Sequence, residues 1–271
     1  LKALNSIITK KRVILCASVE ALLNKLPEYN IIREKCLKIR VGDKMPVEEF
    51  LAYFSQTGYE RVDMIEGCGQ FSVRGGIIDF YGPTNDNPVR IELFDDEIDS
   101  IRYFDLETQR SITKLDEIEL FPMREMLLRP EDFERGSKKV EKALNERLRF
   151  YDSSSKKSLS QKLKEKISED IEKIKQKTYF QGIEKYAAFL YEKSFTVMDY
   201  MEDFVVVMDE PNRVRQRFDN VRLEYEEHFK SLLEEGELLP EHINSLYTYD
   251  DILMKISQRK VVCLNALLKS S

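Results

Sequence analysis

The stretch QFSVRGGIIDF, residues 70–80, sets a single arginine among alternating apolar residues and follows it with two glycines. How the chain runs through it decides whether Arg74 stands on the watered side of a sheet or is turned into a core. Upstream, YERVDMIEGCG reads as a strand and a turn, so that residues 59–76 form a hairpin. With Gly67-Cys68 as a two-residue loop, glycine first as a type II′ turn prefers, Val62 lies opposite Val73 and Met64 opposite Phe71. Those four share one face, the buried one, because a slip of one residue would set Val62 against Arg74. Arg61 then falls directly across from Arg74, a like-charge pair that costs from a few tenths up to about 1 kcal/mol. Continued at period two through the glycines, the strand puts Ile78 and Phe80 on the face of Arg74, with Gly76 leaving a gap. Two arrangements satisfy this count. Either the arginines and apolar side chains form an exposed protein-binding patch, of the composition that dominates interface energetics, or acids such as Asp63 neutralise the pair and a neighbouring element covers Ile78 and Phe80.

Around this stretch, residues 37–124 alternate at period two in LKIRV, FSV, VRIEL and IEL, with turn signals at GCG, YGPTNDNP and DDE. One helix interrupts them: Pro46 suits its first position, and Val47, Phe50, Leu51 and Phe54 recur at helical spacing. The expectation is an α+β module on a mostly antiparallel sheet. It holds ten Lys or Arg against eighteen Asp or Glu, a net charge of −8. A reader of the DNA backbone gathers basic residues instead.

The flanks have a different rhythm. LKALNSIITK predicts a helix, VILCAS (13–18) a short buried strand and VEALLNKL a second helix, the pattern of a doubly wound α/β unit. After Leu127 helices return. Residues 153–178 read as an exposed amphipathic helix, with Leu159, Leu163, Ile167, Ile171 and Ile174 on one side and interleaved charges on the other. FVVVMDEP (204–211) predicts a buried strand, followed by a polar helix to about Gly236, a helix over YDDILMKIS and a strand over KVVCLNALL. The expected fold is α/β: an outer domain in two parts, 1–36 and 125–271, with the 37–124 module inserted. The chain starts inside a helical pattern and reads as a fragment, incomplete at its N-terminus.

Catalytic signals are weak. Four apolar residues, Met208 and then Asp209-Glu210 have the form of a Walker B strand, whose acids would hold Mg²⁺. No GxxxxGK[ST] accompanies them to cradle phosphates, and Pro211 follows the acids, so the motif reads as degenerate and not functional. Asp95-Asp96-Glu97 lies between strand-like runs and reads as a turn. His228 and His242 have no partner at diagnostic spacing, and exposure is expected for both. Cys16, Cys36, Cys68 and Cys263 are scattered, without a CxxC pair, which fits reduced thiols in a cytoplasmic protein better than a zinc site or disulfides. No apolar run approaches the ~18 residues of a membrane span, and the start lacks the order of a signal peptide. The formal charge of −6 disfavours a chain that coats nucleic acid, and 42% hydrophobic residues can supply a real core.

The run from Tyr59 to Ser111, YERVDMIEGCGQFSVRGGIIDFYGPTNDNPVRIELFDDEIDSIRYFDLETQRS, closely resembles the module shared by bacterial transcription-repair coupling factors and the excinuclease subunit UvrB. VILCASVEALLNKLP and VVVMDEPNRV resemble parts of the same family's outer domain. RGGIID, LFDDEIDSIRYFD and DEP are more similar to the coupling factors than to UvrB, which typically has RGD and DESH. The resemblance implies a RecA-like outer domain and a non-catalytic docking module for the damage-recognition subunit UvrA, with Arg61, Arg74 and Ile78 matching the family's contacts and Phe80 beside them. It further implies that ATP and Mg²⁺ serve motor domains outside this chain, that RNA polymerase and DNA are met by other domains, and that a C-terminal domain masks the UvrA surface until polymerase is engaged. The competing readings are a UvrB-type excinuclease subunit and an ATP- and DNA-binding helicase fragment.

Overall fold

A computed structural model describes residues 1–9, 12–154 and 156–265. The chain divides into two compact units, Leu1–Ile14 with Tyr29–Leu127, and Leu15–Glu28 with Leu128–Ser271. It is a mixed α/β protein whose largest sheet is mostly antiparallel.

In the first unit, strands β1 (Leu37–Arg40) and β8 (Glu117–Leu120) form an antiparallel pair. Between them in sequence run β2 (Glu60–Arg61), β3 (Gln70–Arg74), β4 (Ile77–Phe80), β5 (Val89–Phe94), β6 (Glu97–Phe104) and β7 (Ser111–Leu115). These six make one sheet in sequence order, antiparallel throughout except between β2 and β3, which are parallel. Alternation sorts the sheet into an apolar face carrying Phe71, Ile78, Phe80, Val89, Ile91, Ile98 and Ile101, all buried, and a polar one. The helix Val47–Thr57 buries Phe50, Tyr53 and Phe54. The Phe54 ring sits 4.9 Å from that of Phe71, 5.3 Å from Phe80 and 4.8 Å from Tyr59. Ile39 and Leu120, from β1 and β8, complete the same core. Pro46 is the N-cap of this helix rather than its first residue.

The second unit is mainly helical. Pro130–Ser153 and Lys157–Lys175 form two successive helices, so the helix expected over 153–178 is shorter, starting where the preceding one has ended. Leu163, Ile167, Ile171 and Ile174 are buried as the spacing requires, and Leu159 is partly buried. Strands β9 (Val205–Asp209) and β10 (Lys260–Leu264) pair in parallel, with the helices Pro211–Glu234 and Tyr249–Ser257 between them in sequence. Parallel neighbours need such a crossover, which explains the long intervening segment. The end of the strand predicted over KVVCLNALL lies outside the described residues.

VILCAS is not a strand. Val13–Ser18 carry no ladder, and Ile14 is almost fully exposed. An apolar run becomes a strand only where another strand takes its backbone hydrogen bonds, and among the described residues none does so here. Exposure of His242 is likewise overturned: it is buried between the rings of Tyr186 and Phe189, at centroid distances of 4.7 and 5.4 Å. His228 is exposed. All four cysteines are free. Three are exposed, and partial burial pushes the Cys36 thiol up to about 12.

Candidate protein-docking surface

The chain reverses at Gly75-Gly76. Arg74 pairs with Ile77 and Val73 with Ile78 across the antiparallel β3–β4 hairpin. Partners across a ladder share a face, so Ile78 joins Val73 and Phe71 on the apolar side, and Phe80 lies opposite Phe71. Both are 0% exposed. The expectation that Ile78 and Phe80 flank Arg74 as exposed contacts is therefore wrong: the period-two count ran straight through a turn, and the turn inverts the assignment. The two glycines make that turn possible for different reasons. Gly75 has φ +60°, a conformation unfavourable for other residues. A Cβ on Gly76 would stand 2.9 Å from the Leu93 carbonyl oxygen, while the Leu93 amide donates to the Gly76 carbonyl at 2.8 Å.

The hairpin expected over residues 59–76 is also corrected. β2 runs parallel to β3, with Glu60 beside Gln70 and Arg61 beside Phe71. Residues 62–69 form a loop whose Glu66 and Gly67 amides donate to the Gln70 side-chain oxygen at 2.8 and 3.1 Å. Ile65 inserts from this loop into the interior, and Met64, expected to be buried, is exposed. Arg61 is therefore not across from Arg74. By alternation it belongs to the side of Phe71, and it is exposed because β2 is the sheet's edge.

What does surround Arg74 is a network across the polar face. The Arg74 guanidinium, 52% exposed, donates to Asp79 at 3.0 Å, and Asp79 is only 2% exposed. On its other side Asp79 accepts two bonds from Arg90, at 2.6 and 2.8 Å, the planar fork geometry that makes arginine a strong carboxylate ligand. Donating to Asp79 raises the pKa of Arg90 further, against its partial burial. Arg90 also donates to Gln109 at 2.9 Å and stacks over the Phe104 ring at 4.4 Å. On the same strand as Arg90, Glu92 accepts from Arg102 of β6 and, at 3.0 Å, from the Ser100 hydroxyl. One carboxylate thus anchors two guanidiniums, leaving a positive, half-exposed Arg74 in a fixed position on a module that is acidic as a whole. Arg90 and Asp79 escaped the sequence reading, although alternation in VRIEL and in IIDF gives their face once the turn is placed.

In the second unit, Asp209 is exposed at the end of β9, and Glu210 takes a left-handed conformation at φ +53° before Pro211 opens the next helix. The Glu210 amide donates to the Leu264 carbonyl at 2.8 Å. No group of three or more His, Cys, Asp or Glu side chains arranged to hold a metal occurs among the described residues. No helix among them is long and apolar enough to cross a membrane.

Residues 37–126 match the UvrB interaction domain and residues 131–192 the UvrB third helical domain. The chain belongs to the family of proteins that carry these UvrB domains. Among curated relatives it is similar to the transcription-repair-coupling factor of Bacillus subtilis (strain 168), 34% identical over 263 residues, which is 97% of this chain and 21% of that protein. It is 30% identical over 241 residues to the protein of the same name from Staphylococcus aureus (strain bovine RF122 / ET3-1), covering 87% of this chain and 20% of the relative. It is also 32% identical over 221 residues to UvrABC system protein B of Thermosipho africanus (strain TCF52B), covering 78% of this chain and 32% of that one. The chain thus spans about a fifth of the length of the coupling factors it matches.

Proposed function

We propose that this chain is the UvrB-like part of a transcription-repair coupling factor and works in DNA repair as a non-catalytic platform that recruits UvrA. The observation that carries the reading is Arg74, half exposed and held on the polar face of a UvrB interaction domain by a buried carboxylate. Presenting the surface that UvrB presents lets the same partner be captured. Arg61 contributes from the sheet edge, as a contact separate from Arg74.

The second unit is the remnant of a RecA-like outer domain, a reading supported by the parallel pair β9–β10 and the helical crossover between its strands. Asp209 and Glu210 are then a degenerate Walker B end that holds no nucleotide. ATP, Mg²⁺, DNA and RNA polymerase belong to other parts of the parent protein, as does the segment that masks the UvrA surface.

Titration of purified UvrA onto this chain tests the proposal. The wild type binds, and Arg74→Ala weakens binding by about tenfold or more without changing the melting midpoint. Equal affinity for wild type and Arg74→Ala, or ATP turnover by this chain alone, would sink it.

A further inference from the structure

We infer that Phe94 is the apolar anchor of the same docking face, an inference that rests on the UvrA-platform reading and adds a contact to it. Phe94, the last residue of β5, is 80% exposed beside the turn to β6. Isolated surface apolar residues need no explanation; this one is not isolated from the site.

Its position follows from the ladder. Arg74, Ile77 and Glu92 stand in one rung across β3, β4 and β5. Ser100 and Ile98 face Glu92 and Leu93, so the register shift there places the extra residue, Asp99, on β6 and leaves the alternation of β5 intact. Leu93 turns to the core and Phe94 returns to the face of Glu92, Ile77 and Arg74. Two strands across and two residues along put Phe94 roughly 12 Å from Arg74, Cα to Cα. The bonded contact between Leu93 and Gly76 brings the turn after Arg74 against the same end of β5.

The backbone that carries Phe94 is also fixed. It pairs with Glu97 across a tight turn in which Asp95 has φ +59°. The Met45 amide donates to the Asp96 carbonyl at 2.8 Å, and the Ile98 amide donates to the Asp43 carbonyl at 2.9 Å. Beyond the ring lie the exposed carboxylates of Asp95 and Glu97, while Lys44 comes within 3.9 Å of Asp96. With the intervening Glu92 paired to Arg102 and Ser100, the chemistry along this end of the sheet passes from cationic at Arg74, through apolar at Ile77 and Phe94, to anionic at Asp95 and Glu97. The complementary surface on UvrA carries a carboxylate, an apolar pocket and a basic group in that order. A rigid aromatic ring entering such a pocket has the character of an interface hot spot.

The test is a titration of purified UvrA onto this chain and its Phe94→Ala, Phe94→Leu and Arg74→Ala variants, with a thermal melt of each. Expected are an affinity loss of about tenfold or more for Phe94→Ala, retention within about threefold for Phe94→Leu, and unchanged melting midpoints. If Arg74→Ala loses affinity while Phe94→Ala binds as the wild type does, this inference falls and the platform reading stands. A melting midpoint lowered in step with the affinity of Phe94→Ala would assign the residue a structural role and overturn the inference as well. A wild-type chain that does not bind UvrA overturns both.

Discussion

Arg74 and Asp79 meet at 3.0 Å across the β3–β4 hairpin, one half in water and the other almost wholly withdrawn from it. A buried carboxylate shared by two arginines is costly to desolvate and is retained only with its hydrogen bonds intact. Asp79→Ala removes the acceptor and leaves Arg90, itself mostly buried, without its two bonds. The expected loss is about 3 kcal/mol of unfolding free energy, read as a lower denaturation midpoint in urea. Arg74→Ala removes only the half-exposed partner and leaves the Arg90 fork in place, so the midpoint should stay close to that of the wild type.

The two glycines after Arg74 should respond differently to alanine. Gly75→Ala forces a side chain into φ +60° with open space around it, a cost of about 1–2 kcal/mol. Gly76→Ala drives a Cβ against the Leu93 backbone, which cannot swing aside, and should cost about 2–3 kcal/mol. Asn, which tolerates left-handed backbone, should rescue position 75 and not position 76. Thermal melts of the four variants check the order.

Burial lowers the pKa of His242 from 6.5 to about 4, assisted by Lys185 and opposed by the hydrogen bond at Leu239 and by Asp170. The depressed value means that the folded state prefers the neutral ring. Stability is complete above the unfolded-state pKa and is lost as pH falls from about 6.5 toward 4. Linkage gives a loss of about 2 kcal/mol between pH 7.5 and pH 5 from this group. Denaturant titrations at the two pH values should show a difference of that size, and His242→Phe should reduce it.

Arg61 and Arg74 were expected as direct neighbours, whereas the register separates them by about 11 Å. Their contributions to UvrA binding should then be additive. The affinity loss of the double alanine variant should equal the product of the single losses within about twofold. A strongly non-additive double variant would overturn the independence of the two contacts.

Much of the module was legible in the sequence. Alternation in FSV, VRIEL and IEL marks real strands, and the helix after Pro46 buries the residues its spacing selects. The connections were less legible. Gly75-Gly76 fits both a gap within a strand and a two-residue turn, and only the Leu93 contact from a distant strand decides between them. Gly67-Cys68 has the composition of a hairpin turn, but Gln70 captures the nearby amides and Ile65 is drawn inward, so the chain passes to a parallel contact instead. His242 carries no local sign of burial, because Tyr186 and Phe189 reach it from far along the chain. Phe94 was open to discovery: extending VRIEL by one residue puts it with Arg90 and Glu92, opposite Val89 and Ile91.

The backbone bonds that hold residues 42–45 against the β5–β6 turn have a thermodynamic corollary. With the main chain already ordered, association forfeits only side-chain freedom, about 0.5–1.5 kcal/mol for each long side chain immobilised. Calorimetry of the complex should then show a heat-capacity change set by the apolar area covered, with none of the larger decrement that accompanies folding upon binding.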